Sequence, residues 1–428
     1  MLSPADNELL TRSGAGTPMG EFVRRFWVPF LLSRELMEPD GPPRRVTLLG
    51  EKLVAFRDSA GRIGLLDEHC PHRLASLFFG RNEECGLRCI YHGWKFDVSG
   101  ACVDLPSEPA GSPLQRKVRI KSYPVREIGG VLWTFMGPEG AAGEIPAFEC
   151  LSVPESHRFV SQWVQECNNI QAIEGEIDSA HVSFLHRRFD KQNAPKTSIV
   201  GEYFRTDTAP SWRVDPTPYG LVAAARRGAD GQAYWRMNQF LFPFYTMIAP
   251  SHVGGTMTTR MWVPRDDESC WVICFTYCPD RPLTEQEVAN FRAGETSHPV
   301  LIPGTMRQRA NRDNDYLIDR SLQRTTFYSG IAGVRAQDTA MTESMGRIVD
   351  RSREHLGTSD IAIIAMRKAM LAAARKLAAG EAPVAARGGS LYAVRSWSAM
   401  LPAELAYNED PAVIRAMRTA PVEASAAE

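Results

Sequence analysis

Four residues between positions 70 and 92 restrict the fold more tightly than any feature of composition. They form two short pairs, Cys70-Pro-His72 and Cys89-Ile-Tyr-His92, with sixteen residues between His72 and Cys89. Each pair is compact enough for one loop to offer two donors to one metal centre. Pro71 stiffens the first loop, and Gly93 frees the backbone behind the second. Thiolates suit zinc and iron–sulfur clusters, while imidazoles suit zinc, iron and copper. A structural zinc site usually groups Cys with Cys and His with His. Here each pair mixes the two types. That mixture suits a two-iron cluster in which one iron takes both thiolates and the other both imidazoles.

The surrounding text predicts strands. From about Trp27 to Gly137, short runs rich in Val, Leu, Ile and aromatics are separated by Gly, Asp and Asn. "DSAGR" (58–62) and "DVSGAC" (97–102) are hairpin turn signals. The Gly/Pro-rich stretch 137–146 marks a boundary. The expected organisation is a helical lead-in over 1–24, a small all-β domain over 25–137 and a larger domain over 138–428. In the larger part a helix is expected at about 167–182. Strand-like runs follow at 198–206 ("SIVGEYFRT"), 220–227, 234–250, 256–264 and 270–279. Residues 359–380 then predict a long amphipathic helix, with Ser359 and Gly380 as caps. This order predicts an α+β fold with an antiparallel sheet wrapped on a C-terminal helix. Cys270, Cys274 and Cys278, evenly spaced on one strand, are expected to be small core residues. The tail 420–428 is expected to be disordered.

Charge excludes some functions. The 428 residues carry a formal net charge of −1, and Lys and Arg form no run that would grip nucleic acid or an acidic membrane. No apolar run approaches the ~18 residues of a membrane span, and the first residues lack a secretory h-region. Nine cysteines, odd in number and irregularly spaced, do not form a secreted disulfide framework. A cytoplasmic location is expected.

A second constellation lies in residues 167–188, "CNNIQAIEGEIDSAHVSFLHRR". On a helix, Asp178 and His181 would be neighbours at i and i+3. His181 and His186 would diverge by about 140°. Both reach one metal only if the helix breaks, and the expected break is in "VSFL" (182–185). Two histidines with one carboxylate and open positions make the facial triad of non-haem Fe(II) sites that activate O2.

Taken together these motifs resemble a known family. "CPHR…CIYHGWKF" is similar to the Rieske [2Fe–2S] motif of ring-hydroxylating oxygenases. The D-x2-H-x4-H spacing of Asp178, His181 and His186 resembles their mononuclear-iron motif. Along most of its length the chain looks most like the phthalate-dioxygenase branch. The resemblance implies Cys70 and Cys89 on the buried iron, and His72 and His92 on the outer one. It implies His181, His186 and a downstream Asp around a mononuclear Fe(II). Asp338, followed by Glu343, is the expected carboxylate; Asp350, beside several arginines, and Asp360 are the alternatives. It implies that Asp178 links a neighbouring subunit's cluster histidine to the iron. One departure is Glu174, near a position where many relatives carry Asn.

The resemblance further implies a helix-grip (START-like) catalytic domain behind the Rieske domain. The implied activity is an oxygenase component that hydroxylates an aromatic carboxylate of the phthalate or benzoate type. O2 is the oxidant, and NAD(P)H-derived electrons come from a separate flavin or ferredoxin-type reductase. O- or N-demethylation of a methoxyaryl substrate is the alternative. A homotrimer or a hexamer of stacked trimers is implied. The pocket is expected along 234–250, where the alternating Phe240, Phe242 and Phe244 suit a flat ring or, equally, a core-facing strand edge. Arg205, Arg213, Arg236 and Arg260 are candidate partners for a carboxylate.

Overall fold

A computed structural model describes residues 2–109, 111–190, 199–250 and 255–419. The expected tail at 420–428 lies outside the described residues.

The N-terminal region consists of three small antiparallel sheets. Trp27–Leu32, buried at every position, pairs with Val131–Phe135, which pairs with Val125–Ile128. Arg44–Leu48, Glu51–Arg57 and Ile63–Asp67 form a meander. Its second turn is the expected one at 58–62, closed by the Asp58 carboxylate, which accepts from the amides of Ala60 and Arg62. Four short strands, Arg81–Glu83, Gly86–Arg88, Lys95–Phe96 and Cys102–Asp104, make the third sheet. The first Cys–His pair follows the meander, and the second lies between Gly86–Arg88 and Lys95–Phe96. The two loops are thereby presented side by side.

The C-terminal region is built on one eight-stranded antiparallel sheet. Its main path runs Arg158–Gln165, Cys270–Tyr277, Met257–Pro264, Tyr245–Ile248, Gln232–Leu241, Gly220–Ala229, Ser211–Thr217. Trp397–Pro402, which the sequence did not signal, pairs with residues 232–237, the part of that strand that the short Tyr245–Ile248 does not reach. Cys270–Tyr277 is buried at all eight positions, so Cys270 and Cys274 are core residues, as expected; Cys278, just beyond, is buried too. The helix Ile361–Ala378 presents Ala362, Met366, Met370 and Ala374, each four residues apart, as one buried stripe. The stripe shares a core with Leu221, Ala223 and Phe240 of the sheet. Phe22 and Val23, from the second of the two lead-in helices Pro4–Thr11 and Pro18–Val23, join the same core.

Three local expectations fail. Asp360, not Ser359, takes the N-cap position of the helix Ile361–Ala378. The other two fail for identifiable reasons. The run 198–206 is not a strand but contains the helix Ile199–Thr206. Phe204 is buried between exposed Glu202, Arg205 and Thr206, a one-sided pattern that suits a helix. The helix expected over 167–182 is Asn169–Ile177 and stops before Asp178. The Asp178 carboxylate accepts from the amides of Ala180 (2.6 Å) and His181 (3.3 Å), local bonds that compete with the helical ladder. The break therefore precedes His181 instead of falling at 182–185, and His181–Ser183 is a single 3-10 turn.

Glu174 faces away from the histidines. It is buried, accepts from Arg351 Nε and Nη2 (3.0 and 3.1 Å) and from Arg367 Nε (2.7 Å), and so ties three segments together. Arg351 also donates to Asn7 Oδ1 of the first lead-in helix (2.9 Å). Glu174→Ala is expected to cost about 3–5 kcal/mol, because it strands a fully buried guanidinium. Urea unfolding measures this. A loss well under 1 kcal/mol would mean that the network does not hold the fold.

Candidate metal centres and active site

The two cysteine loops have the same backbone pattern. The Cys70 amide donates to Ala75 O (2.9 Å), and the Leu74 amide donates back to Cys70 O (2.9 Å). The Cys89 amide donates to Trp94 O (2.8 Å), and the Gly93 amide to Cys89 O (2.9 Å). Both loops need a left-handed residue at the fourth place after Cys: Leu74 (φ 60°) and Gly93 (φ 80°). A Cβ on Gly93 would also come within 2.5 Å of Pro106, so glycine is required there.

Cys70 and Cys89 are 1% and 3% exposed, while His72 and His92 sit half-buried at the rim with ring centroids 4.4 Å apart. Burial, with the neighbouring Cys89 adding to it, pushes the Cys70 thiol up to about 12. A thiol so placed ionises only if a cation neutralises it. The indole of Trp94 stacks on the His72 ring at 4.4 Å and 6°. Buried thiols below and imidazoles at the rim fit the donor set of a two-iron cluster.

In the C-terminal region His181, His186 and Asp338 converge. His181 Nε2 and His186 Nε2 are 3.2 Å apart, and Asp338 Oδ1 lies 3.5 and 3.0 Å from them. These edges are about 3 Å, as expected of donors that share one ion at ~2.1 Å each. The opposite ring nitrogens are occupied. Gln337 Nε2 donates to Ile331 O (2.7 Å), so its Oε1 must accept from His186 Nδ1 (2.6 Å). His181 Nδ1 faces Asp178 Oδ2 at 3.3 Å. Each imidazole thus turns its Nε2 to the shared point, where a bound metal would replace a proton. Burial opposes charging of His181, but the hydrogen bonds and charges of Asp178 and Asp338 outweigh it and raise its pKa to about 9. Burial likewise opposes ionisation of Asp338, yet His186 and Arg335 hold it well below the usual carboxylate range. Among the described residues this is the one group of three or more such side chains whose donor atoms all lie within 4.8 Å of one another, close enough to share a single ion. Two imidazoles and a carboxylate fit ferrous iron with open positions.

The triad lines a cavity of about 450 Å³, walled by Phe204, Ile248, Ala249, Phe291 and Val334, with Glu176, Arg236, Asn238 and Arg260 among its polar members. The strand run 234–250 contributes Arg236, Asn238, Ile248 and Ala249. Phe240 and Phe244 do not line the cavity: both are fully buried in the core, where Phe240 and Phe242 stack edge-on and Phe244 packs on Tyr245. The cavity's aromatic lining comes from Phe204 and Phe291 instead.

The four candidate arginines separate. Arg205 is exposed on its helix. Arg213 pairs with Asp215 (3.0 Å). Arg260 pairs with Glu176. Arg236 is half-buried and lines the cavity with its Nε shut off from water and with no ion pair or hydrogen bond among the described residues; its guanidinium lies 5.3 Å from the centre of the Phe204 ring. Burial pushes its pKa down. The alternatives to Asp338 fall away: Asp350 caps a turn by accepting from Ser352 N and Oγ, instead of pairing with an arginine, and Asp360 accepts from the Gly357 amide.

Sequence reasoning missed the residues that support the triad. Arg335 Nη2 holds Asp338 Oδ2 (3.1 Å), and its Nη1 reaches Glu176 Oε2 (3.2 Å). Their i, i+3 spacing on the helix Val334–Ser344 was a usable signal for the first pair. Arg227, fully buried, donates to the Ser179 carbonyl (2.6 Å) and pins the turn just after Asp178; nothing in the local sequence foretells that contact.

Comparison with known proteins matches this architecture. Residues 26–124 match the Rieske [2Fe–2S] domain, and residues 134–424 match the LigXa C-terminal domain-like family. The chain is 39% identical over 385 residues to the 3-chlorobenzoate-3,4-dioxygenase oxygenase subunit of Comamonas testosteroni, covering 86% of this chain and 88% of that one. It is 39% identical over 397 residues to the phthalate 4,5-dioxygenase oxygenase subunit of Pseudomonas putida, covering 90% and 89%. A solved structure of dicamba monooxygenase bound to dicamba shares the fold, with a TM-score of 0.59 at 18% identity over 84% of this chain and 99% of that one. The chain, an oxidoreductase, therefore belongs to the Rieske non-haem iron aromatic-ring-hydroxylating oxygenases, as a phthalate-dioxygenase-like oxygenase component.

Proposed function

We propose that this protein oxygenates a small aromatic carboxylate, using O2 and electrons passed from NAD(P)H by a separate flavin or ferredoxin-type reductase. The observation that carries the reading is Arg236, a half-buried guanidinium in the wall of the triad's cavity whose Nε is shut off from water and which has no anion among the described residues. A cation partly withdrawn from water without a partner is costly, and a substrate carboxylate is the partner that its fork geometry suits. The names of the two 39%-identical relatives, a chlorobenzoate and a phthalate dioxygenase, support the same class.

Cys70, Cys89, His72 and His92 would hold the cluster, and His181, His186 and Asp338 the single iron. When bound, these centres supply one-electron transfer and activation of O2. The chain's own residues do the rest. Asp178 and Gln337 fix the two imidazoles, and Arg335 fixes Asp338. Arg236 orients the ring, while Phe204, Phe291, Ile248 and Val334 exclude water from it. A closed ring of three subunits, or two such rings stacked, would bring one subunit's His72 or His92 to Asp178 of the next. The cytoplasm is the proposed compartment; no described helix is long and apolar enough to cross a membrane.

Arg236→Met is expected to raise KM for a benzoate about a hundredfold with a smaller effect on kcat. Substrate-dependent O2 uptake measures both, and an unchanged KM would remove Arg236 from the substrate site. The products separate ring hydroxylation from demethylation, since a methoxybenzoate releases formaldehyde only in the second case.

A further inference from the structure

We propose that Glu176 masks Arg260, and that this makes the cavity selective for one negative charge: it takes an aromatic monocarboxylate and rejects a benzenedicarboxylate. The proposal rests on the reading of Arg236 as the carboxylate anchor. It divides the aryl carboxylates into two classes that the anchor alone does not separate.

The charges facing the cavity carry the argument. Its described ionisable lining residues are Glu176, Asp178, His181, His186, Arg236, Arg260 and Asp338. Asp178 faces His181, and Asp338 faces both histidines and Arg335. Glu176 is clasped from two sides, by Arg260 from the sheet and by Arg335 from the helix Val334–Ser344. The side chains of Glu176 and Arg260 are 5% and 6% exposed, so water cannot stand in for either partner. Arg236 is the one lining cation among the described residues without an anion.

A first carboxylate completes Arg236. A second one, ortho, meta or para to it, finds no free cation among the described lining residues: what remains is the apolar wall of Phe204, Ile248, Phe291 and Val334, neutral donors such as Asn238 and Thr296, which cannot balance its charge, and the carboxylates of Asp178 and Asp338. To recruit Arg260 it must displace Glu176, which leaves a buried carboxylate short of one partner. Specificity arises here from a cation that is present but already neutralised.

The test is calorimetric titration of the anaerobic holoenzyme at a pH where all carboxyl groups are ionised. The ligands are the three benzenedicarboxylate isomers, the three matching nitrobenzoates, benzoate and benzamide. A nitro group copies the shape of a carboxylate without its charge, so each pair differs in charge and not in size. Each nitrobenzoate is expected to bind about tenfold or more tighter than its dicarboxylate partner. Equal affinity, or tighter binding of any dicarboxylate, overturns the masking. Benzamide binding as tightly as benzoate overturns the anchor reading itself and the masking with it. A preference for benzoate over benzamide without the nitrobenzoate preference overturns the masking alone. Glu176→Gln, checked for its cluster absorbance, is expected to close the gap for at least one isomer. Glu176→Gln/Arg260→Met is expected to reopen it. A gap left unchanged in a folded Glu176→Gln overturns the proposal. If that variant does not fold, the wild-type panel alone decides.

Discussion

Asp178→Asn is expected to keep both iron centres and lose coupled turnover by about a hundredfold. The substitution is close to silent for the fold. Asn retains an oxygen that can accept from the Ala180 amide, and Arg227 still pins the Ser179 carbonyl, so the turn that replaces the helix survives. What disappears is the negative charge 3.3 Å from His181 Nδ1. That charge orients the imidazole and, with Asp338, raises its pKa. In the proposed ring it is also the group that would meet the neighbour's cluster histidine. Iron content, visible absorbance of the cluster, and NADH and O2 consumption together separate the cases. Turnover near wild type would show that Asp178 does not connect the two centres. Loss of the single iron would show that its role is to hold the triad.

Asp338→Ala is expected to remove the single iron, leave the two cluster irons in place and abolish product formation, a fall of about a thousandfold or more. The triad would lose its only anionic donor, and two neutral imidazoles hold a ferrous ion weakly. Arg335 would keep Glu176 as a partner, so the helix Val334–Ser344 should remain folded. Iron quantification with the cluster's reduced-state paramagnetic signal reads this directly. Retention of the single iron would mean that another carboxylate supplies the third donor.

These two variants also mark how far the sequence could be read. The Cys–His loops were legible because their donors are local: two residues in one turn, twice, with a left-handed position after each. The stripe at 362, 366, 370 and 374 was legible for the same reason, since its period belongs to one element. Asp338 was reachable only through resemblance, because 152 positions separate it from His186 and nothing local relates them. The end of the helix before Asp178 escaped a reading based on apolar periodicity, although the competing bonds come from Asp178 itself. The fate of the arginines was closed to sequence in principle. Arg236 and Arg260 are both arginines on strands, and the difference between them is Glu176, which reaches Arg260 from a helix more than eighty residues away. Phe240 and Phe244 could be read either way because alternation names a buried face without saying what fills it, and here the core fills it.

The central claim is that this chain places an aromatic carboxylate beside a triad that uses O2. Purified protein supplied with a compatible reductase, NADH, isotopically heavy O2 and a benzoate tests it most directly, with the label read in the product by mass spectrometry. The account predicts heavy oxygen in the oxidised aromatic acid, with none incorporated when benzamide replaces the benzoate or when Asp338→Ala replaces the wild type. A protein with both iron centres filled that consumes electrons yet leaves every benzoate in the panel unlabelled would contradict it.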